Sequence, residues 1–231
     1  MKKFCKVLGW LFLLAGCIAA GIFCEILFTR GADFGSDRYV VAICFSVLGA
    51  AIFGTFFLTR MESGPKRVRI VRTVTVIGGI AYGMCLIGIL FMSRVSGTRR
   101  GGSARDYSLI PFRTISMYVK AYLNHTLHHS TVYRNLLGNF VLFMPMAWIL
   151  PVVFKKLRNG LAFTIVMLLG LCMVELTQFK TGRGSMDIDD IILNYSGAIL
   201  VFLCLWNKTI RKFMEKRHIV SGRTRKVRRD G

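Results

Sequence analysis

The chain has 231 residues, of which 54% are hydrophobic, and a formal charge of +21. That much apolar surface cannot be hidden in one water-soluble core of this size, and long uncharged apolar runs are the compositional mark of a membrane protein. A bilayer core takes roughly 20 apolar residues of helix to cross, and stretches of that length recur along the chain, so no separate soluble domain is required.

Met1–Cys17 has the outline of a secretory signal, and Leu14-Ala15-Gly16-Cys17 resembles a lipoprotein cleavage box. The apolar run continues through Ile18–Phe28, however, so the expectation is an uncleaved first span at Val7–Phe28. Further spans are expected at Tyr39–Leu58, Val74–Met92, Tyr133–Phe154, Leu161–Phe179 and Ile191–Trp206. Cytoplasmic loops carry the excess of Lys and Arg. The basic residues of the N-terminus, of the 60–72 segment, of the short Lys155–Gly160 turn and of the tail all fit one side. The expected fold is therefore all-α, a polytopic transmembrane helical bundle of about six spans with both termini inside. It divides into an N-terminal two-span hairpin (1–73), a four-span domain (74–207) with a long outer connection (93–133), and a basic cytoplasmic tail (208–231). The cysteines lie in or beside apolar runs without paired metal spacing, which fits reduced packing residues.

Acidic residues show the opposite bias and gather toward the outer ends of the spans. Glu175 and Gln178 are three apart and share a helical face, as do Asn135, Gly138 and Asn139 on the preceding span. Gly138 is expected to let another backbone come close, and Pro145 to kink its span. In the turn that follows, Arg183 precedes Asp187, Asp189 and Asp190, and then come Asn194 and Gly197. On a helix from Asp187, the residues Asp187, Asp190, Asn194 and Gly197 form one stripe. Asp189 points nearly opposite and suits a cap or a loop contact. Taken singly, Asp residues cap helices and Asn or Gln residues join them. Ionisable groups in a span are costly, and so many polar groups at one depth on three spans point to a site. Its expected ligand-binding residues are Asn135, Asn139, Glu175, Gln178, Arg183, Asp187, Asp189, Asp190 and Asn194. The apolar, proline-containing Tyr107–Arg113 segment is too short to span and is expected at the outer interface. His125, His128 and His129 are weak grounds for a metal, and neither metal nor cofactor is expected.

Five pieces occur in order: Leu109-Ile110-Pro111-Phe112; Asn135-x-x-Gly138-Asn139-x-x-x-Phe143-x-Pro145; Glu175-x-x-Gln178; Gly182-Arg183; and Asp187-x-Asp189-Asp190-x-x-x-Asn194-x-x-Gly197. Their order resembles the VanZ-like family, named for a protein associated with teicoplanin resistance. The resemblance covers roughly Val74–Trp206, leaving the first two spans and the tail outside. Where family members often carry Asn before Leu-Ile-Pro-Phe, this chain has Ser108. The resemblance implies a multi-pass protein of the bacterial plasma membrane linked to the cell envelope, and no established catalytic reaction.

Three functional classes follow. One is an envelope factor whose outer site binds a lipid-linked wall precursor, a lipid headgroup or a glycopeptide antibiotic, with Arg113, Arg183 and helix-terminal amides holding phosphate and the Asn and Gln amides holding sugar or peptide groups. A second is a metal-assisted enzyme acting on an envelope lipid, with Asp187, Asp189 and Asp190 as ligands and Glu175 as base. A third is a small proton-coupled transporter using Glu175 or Glu25, against which stands the lack of a polar path inward. The basic tail, Lys208–Arg229, faces an anionic inner leaflet and is expected to bind membrane lipid and not nucleic acid.

Overall fold

The computed structural model describes residues 2–29, 54, 56, 62–92, 107–182 and 185–222. Its helices are α1 (Lys2–Thr29), α2 (Gly64–Ile87, continued by a π-helical turn Gly88–Met92), α3 (Arg113–Leu123), α4 (His129–Leu142), α5 (Met146–Val153), α6 (Gly160–Thr181), α7 (Ile188–Trp206) and α8 (Lys208–Lys216). A short 3-10 turn covers Lys155–Arg158. Two-residue strands β1 (Tyr107–Ser108) and β2 (Met186–Asp187) pair in parallel, Tyr107 with Met186 and Ser108 with Asp187. Four stretches are long and apolar enough to cross a membrane: Gly64–Phe91, His129–Val153, Gly160–Thr181 and Ile188–Trp206. They overlap the expected last four spans: the first starts about three turns earlier than the apolar run alone suggests, the others up to one turn earlier, and the first two end one residue short of it. α1 runs unbroken through Val7–Phe28, where the first span is expected, but it is not one of these four stretches; Val7–Ile18 is its described apolar part. The expected second span, Tyr39–Leu58, lies outside the described residues except for Gly54 and Phe56.

The outward faces are apolar: Leu161 and Met173 are 71% and 68% exposed, and a surface of that kind calls for lipid around it. Lipid tails are as apolar as a leucine, so burial alone does little to join the spans and close packing has to do it. Gly197 is where α7 comes closest to α4, since a Cβ there would land on the Phe140 carbonyl. Gly138 does not serve this purpose, because a Cβ there would meet nothing within 4 Å. The close approach is thus made by the glycine facing α4 from α7. Below it Phe163 and Phe202 stack with centroids 4.3 Å apart, beside buried Met167 and Ala198.

Pro145 does more than kink its span. Residues 143–145 form a turn between α4 and α5, with Pro145 capping the second helix. Broken helices inside a bilayer must have their freed carbonyls satisfied by neighbours. The Tyr82 phenol donates to the Leu142 carbonyl. Pro151, inside α5, has no N–H to offer Ala147, and the Trp206 indole Nε1 donates to the Ala147 carbonyl instead, at 2.8 Å.

The two ends of the bundle differ in charge. At one end, called here the Asp187 end, lie the end of α2, α3, and the junction of α6 with α7. At the other, the Lys155 end, the Arg72 side chain of α2 reaches the Val153 carbonyl and Arg67 reaches that of Arg217. The chain beyond α8 turns back there, burying Met214 and Val220.

Gly197→Ala should lower the melting temperature of detergent-purified protein, since forcing a methyl into a closed contact typically costs about 1–3 kcal/mol. Gly138→Ala should leave it unchanged or raise it slightly, alanine being the better helix former. The opposite ranking would remove Gly197 from its place in the packing.

Candidate functional site

Ile110, Pro111, Phe112 and Arg113 make a turn in which the Arg113 amide donates to the Ile110 carbonyl at 3.3 Å. Pro111 has its φ fixed as the second turn residue requires. Phe112 has φ 63° and ψ 6°, the left-handed values a type II turn asks of its third residue and normally assigned to glycine. For phenylalanine this conformation is strained. It turns the amides of Phe112, Thr114 and Ile115 toward one point, and Asp189 sits there. Its Oδ1 accepts from the Phe112 amide at 2.5 Å, and its Oδ2 accepts from the amides of Thr114 and Ile115 at 2.7 and 3.0 Å. Asp189 is fully buried. A carboxylate at the positive end of α3, accepting charge-assisted bonds from otherwise orphaned donors, offsets the strain of the turn.

Asp187 begins α7. Its Oδ1 accepts from the Asp189 amide at 2.9 Å and its Oδ2 from the Thr114 hydroxyl at 2.6 Å. The Asp187 amide in turn donates to Glu175 Oε2 at 3.2 Å. The buried Glu175 of α6 is thereby tied to the start of α7 and, through Thr114, to α3. On the adjacent face of α7, Asp190 Oδ1 accepts from the Asn139 amide of α4. Asn194, one turn on, donates to the Asp190 carbonyl at 2.7 Å. Two buried side-chain oxygens have no hydrogen-bond partner among the described residues, Asn194 Oδ1 and Ser108 Oγ. Both border this cluster, Ser108 because β1 pairs it with Asp187.

The structure thus brings together Asn139, Glu175, Asp187, Asp189, Asp190 and Asn194. Asn135 donates to the Thr131 carbonyl of its own helix at 2.8 Å. Gln178 reaches sideways to the Leu90 carbonyl of the π-helical turn at 3.0 Å, so its amide joins α6 to α2. Arg183 lies outside the described residues. Tyr118 and Thr114 are the additions. They are four apart on α3 and share a face. Tyr118 is half-buried, and its phenol is pushed above its ordinary range by burial first, with the Asp190 and Asp187 carboxylates adding to the effect. The signal that could have found them is the spacing of Thr114, Tyr118 and buried Ala121 along an amphipathic segment.

The arrangement limits the chemistry. Asp189 has both oxygens committed to amides, so it does not converge with Asp187 and Asp190 on a cation. Among the described residues no three His, Cys, Asp or Glu side chains are grouped to hold a metal ion. The amides at the start of α3 are occupied by Asp189 and are not open to a phosphate. What faces the cluster is acceptor-rich: carboxylates of Glu175, Asp187 and Asp190 and the amide oxygen of Asn194. Beside them Leu109, Ile110 and Phe112 are exposed and form an apolar strip on the same turn.

Asp189→Asn should destabilise the protein by about 1–3 kcal/mol, since one acceptor becomes a donor facing a backbone N–H. Hydrogen exchange at Phe112, Thr114 and Ile115 should accelerate with it. Ser116→Ala, which removes only an exposed bond to the Arg113 carbonyl, is the control that should change neither.

Residues 79–211, more than half of the chain, match the family model described as VanZ/LLP1. Neither a curated protein nor a solved structure matches the chain.

Proposed function

The chain belongs to the VanZ/LLP1 family, and on that premise we propose that its Asp187 end is an outward-facing site for the polar head of an envelope amphiphile. The head belongs to a lipid-linked wall precursor, a membrane lipid or a glycopeptide antibiotic. The observation that carries this reading is the set of buried or half-buried acceptors, Glu175, Asp187, Asp190 and Asn194, beside the exposed apolar strip Leu109–Phe112. Acceptors of this kind suit a ligand that brings donors, such as sugar hydroxyls, peptide amides or an ammonium group. The apolar strip suits an acyl chain lying at the interface. Ser108 Oγ and Asn194 Oδ1, buried without a partner among the described residues, are the kind of atoms a ligand satisfies.

The setting we propose is the bacterial plasma membrane, with about six spans and both termini inside. The charge difference between the two ends of the bundle supports this direction, since Lys155, Lys156 and Arg158 fall together at one end and basic residues favour the cytoplasm. In a cell exposed to teicoplanin, occupancy of the site by the antibiotic or by its target would contribute to resistance. The tail from Lys208 adds attraction to the anionic inner leaflet, each basic residue near that surface contributing about 1 kcal/mol.

Direction is tested by cysteine labelling of intact cells. A cysteine introduced at exposed Lys120 should react with an impermeant reagent and one at Lys156 should not. The reverse pattern would place the acidic end inside and end the envelope reading. Function is tested with Glu175→Gln and Asp190→Asn, which keep size and remove charge. Both should abolish the protein's effect on glycopeptide susceptibility while the extracted protein level stays near wild type. Unchanged susceptibility with both charges removed would show that the carboxylates have only a structural part.

A further inference from the structure

The Lys155 end holds two hollows lined by basic side chains. Between the 3-10 turn Lys155–Arg158, the start of α6 and the side of α8 lies a cavity of about 480 Å³. Its lining includes Lys155, Lys156, Arg158 and Arg211. A further cavity of about 220 Å³ adjoins it, sharing Lys155 and Arg158 and adding Arg69 and Arg72 of α2. Basic residues from three parts of the chain therefore line two adjoining recesses. Glu215 offsets part of this charge, its Oε1 accepting from Arg211 Nε at 3.0 Å.

Arg158 is the fixed point. It is 8% exposed, its Nε donates to the Pro151 carbonyl at 3.0 Å, and its Nη1 and Nη2 donate to the Ser221 carbonyl and hydroxyl at 2.5 and 3.3 Å. Its guanidinium also lies over the Trp206 ring, 5.2 Å from the centroid. The group is held in place by the fold, not left to wave in solvent. Burial lowers its pKa from the ordinary arginine value, and the neighbouring Arg211 lowers it further. Like charges have thus been drawn together around a hollow, which is the arrangement an anion relieves.

The rim says where that anion comes from. Phe154 and Leu161, next in sequence to the lining residues Lys155 and Gly160, are exposed at 56% and 71%. Large apolar side chains at a bundle end belong at the boundary between headgroups and acyl chains. The recess therefore opens at the level of lipid phosphates. A pocket with basic walls and an apolar rim at this depth fits a phospholipid better than a soluble anion.

We propose that the recess formed by Lys155, Lys156, Arg158 and Arg211 binds the phosphate of an anionic phospholipid headgroup. The lipid seats α8 and Ser221 against the turn between α5 and α6. This inference is independent of the acidic site at the opposite end and of which end faces the cytoplasm.

The test uses the full chain, purified in a neutral detergent. Melting temperature is followed during titration with dioctanoyl phosphatidylglycerol, dioctanoyl phosphatidylcholine or inorganic phosphate. Phosphatidylglycerol should raise it saturably, and the other two should not at matched concentrations. The double variant Lys155→Gln/Lys156→Gln changes two exposed side chains, so its baseline melting temperature should stay near wild type. Its half-saturating phosphatidylglycerol concentration should rise about 30-fold, as expected for losing two near-surface charges. Glu175→Gln should titrate as wild type, which separates this site from the acidic one. An unchanged titration in the double variant, or no saturable response in wild type, would overturn the proposal. Equal stabilisation by inorganic phosphate would overturn the lipid as its source.

Discussion

The acceptance of three backbone amides by one buried carboxylate, that of Asp189, organises the acidic end of this protein. Its bonds to Phe112, Thr114 and Ile115 join two segments more than 70 residues apart, as the separations of 77, 75 and 74 positions show. Without them a phenylalanine in the left-handed region would have little reason to remain there. With them, α3 is aimed so that Thr114 and Tyr118 face α7. Two further carboxylates are linked to the same point: Asp187 caps α7 and takes the Thr114 hydroxyl, and Glu175 takes the Asp187 amide. The apolar turn and the acidic turn are therefore one device.

Much of the architecture is legible in the sequence because the bilayer enforces it. A run of apolar residues of sufficient length has few alternatives to a helix when no water can satisfy the backbone. The last four expected spans accordingly coincide with apolar helices. The stripe of Asp190, Asn194 and Gly197 was also readable from helical spacing, since it depends only on local geometry. Its packing partner was not: Gly138 and Gly197 look alike in sequence, and only the approach of α7 to the Phe140 carbonyl separates them.

The candidate site was readable as a set of residue types and not as a set of bonds. Asn135 and Asn139 occupy one face of α4, yet a four-residue offset is enough to send one amide to its own Thr131 carbonyl and the other to Asp190. Gln178 shares a face with Glu175, but the π-helical turn of α2, which no periodicity announces, presents the Leu90 carbonyl it serves. Tyr118 was hidden for a different reason. It sits on a short helix outside the spans, where an aromatic residue attracts no notice until the carboxylates beside it are placed. Arg158 looks like one more inside-facing charge, while its bonds to Pro151 and Ser221 and its place over Trp206 depend on contacts no linear pattern encodes.

The bond from the Trp206 indole to the Ala147 carbonyl carries a consequence for the order in which the protein is made. Synthesis delivers the proline-interrupted span His129–Val153 well before the tryptophan, which lies 59 positions after its acceptor. Until then a carbonyl deprived of its helical donor by Pro151 is left facing hydrocarbon, or kept wet near the insertion machinery. That span is therefore inserted before it is finished, and its Ala147 carbonyl gains the Trp206 donor only when Ile188–Trp206 has come to lie beside it. Nascent chains stopped short of Trp206 would hold the span with that carbonyl unsatisfied by its tryptophan donor.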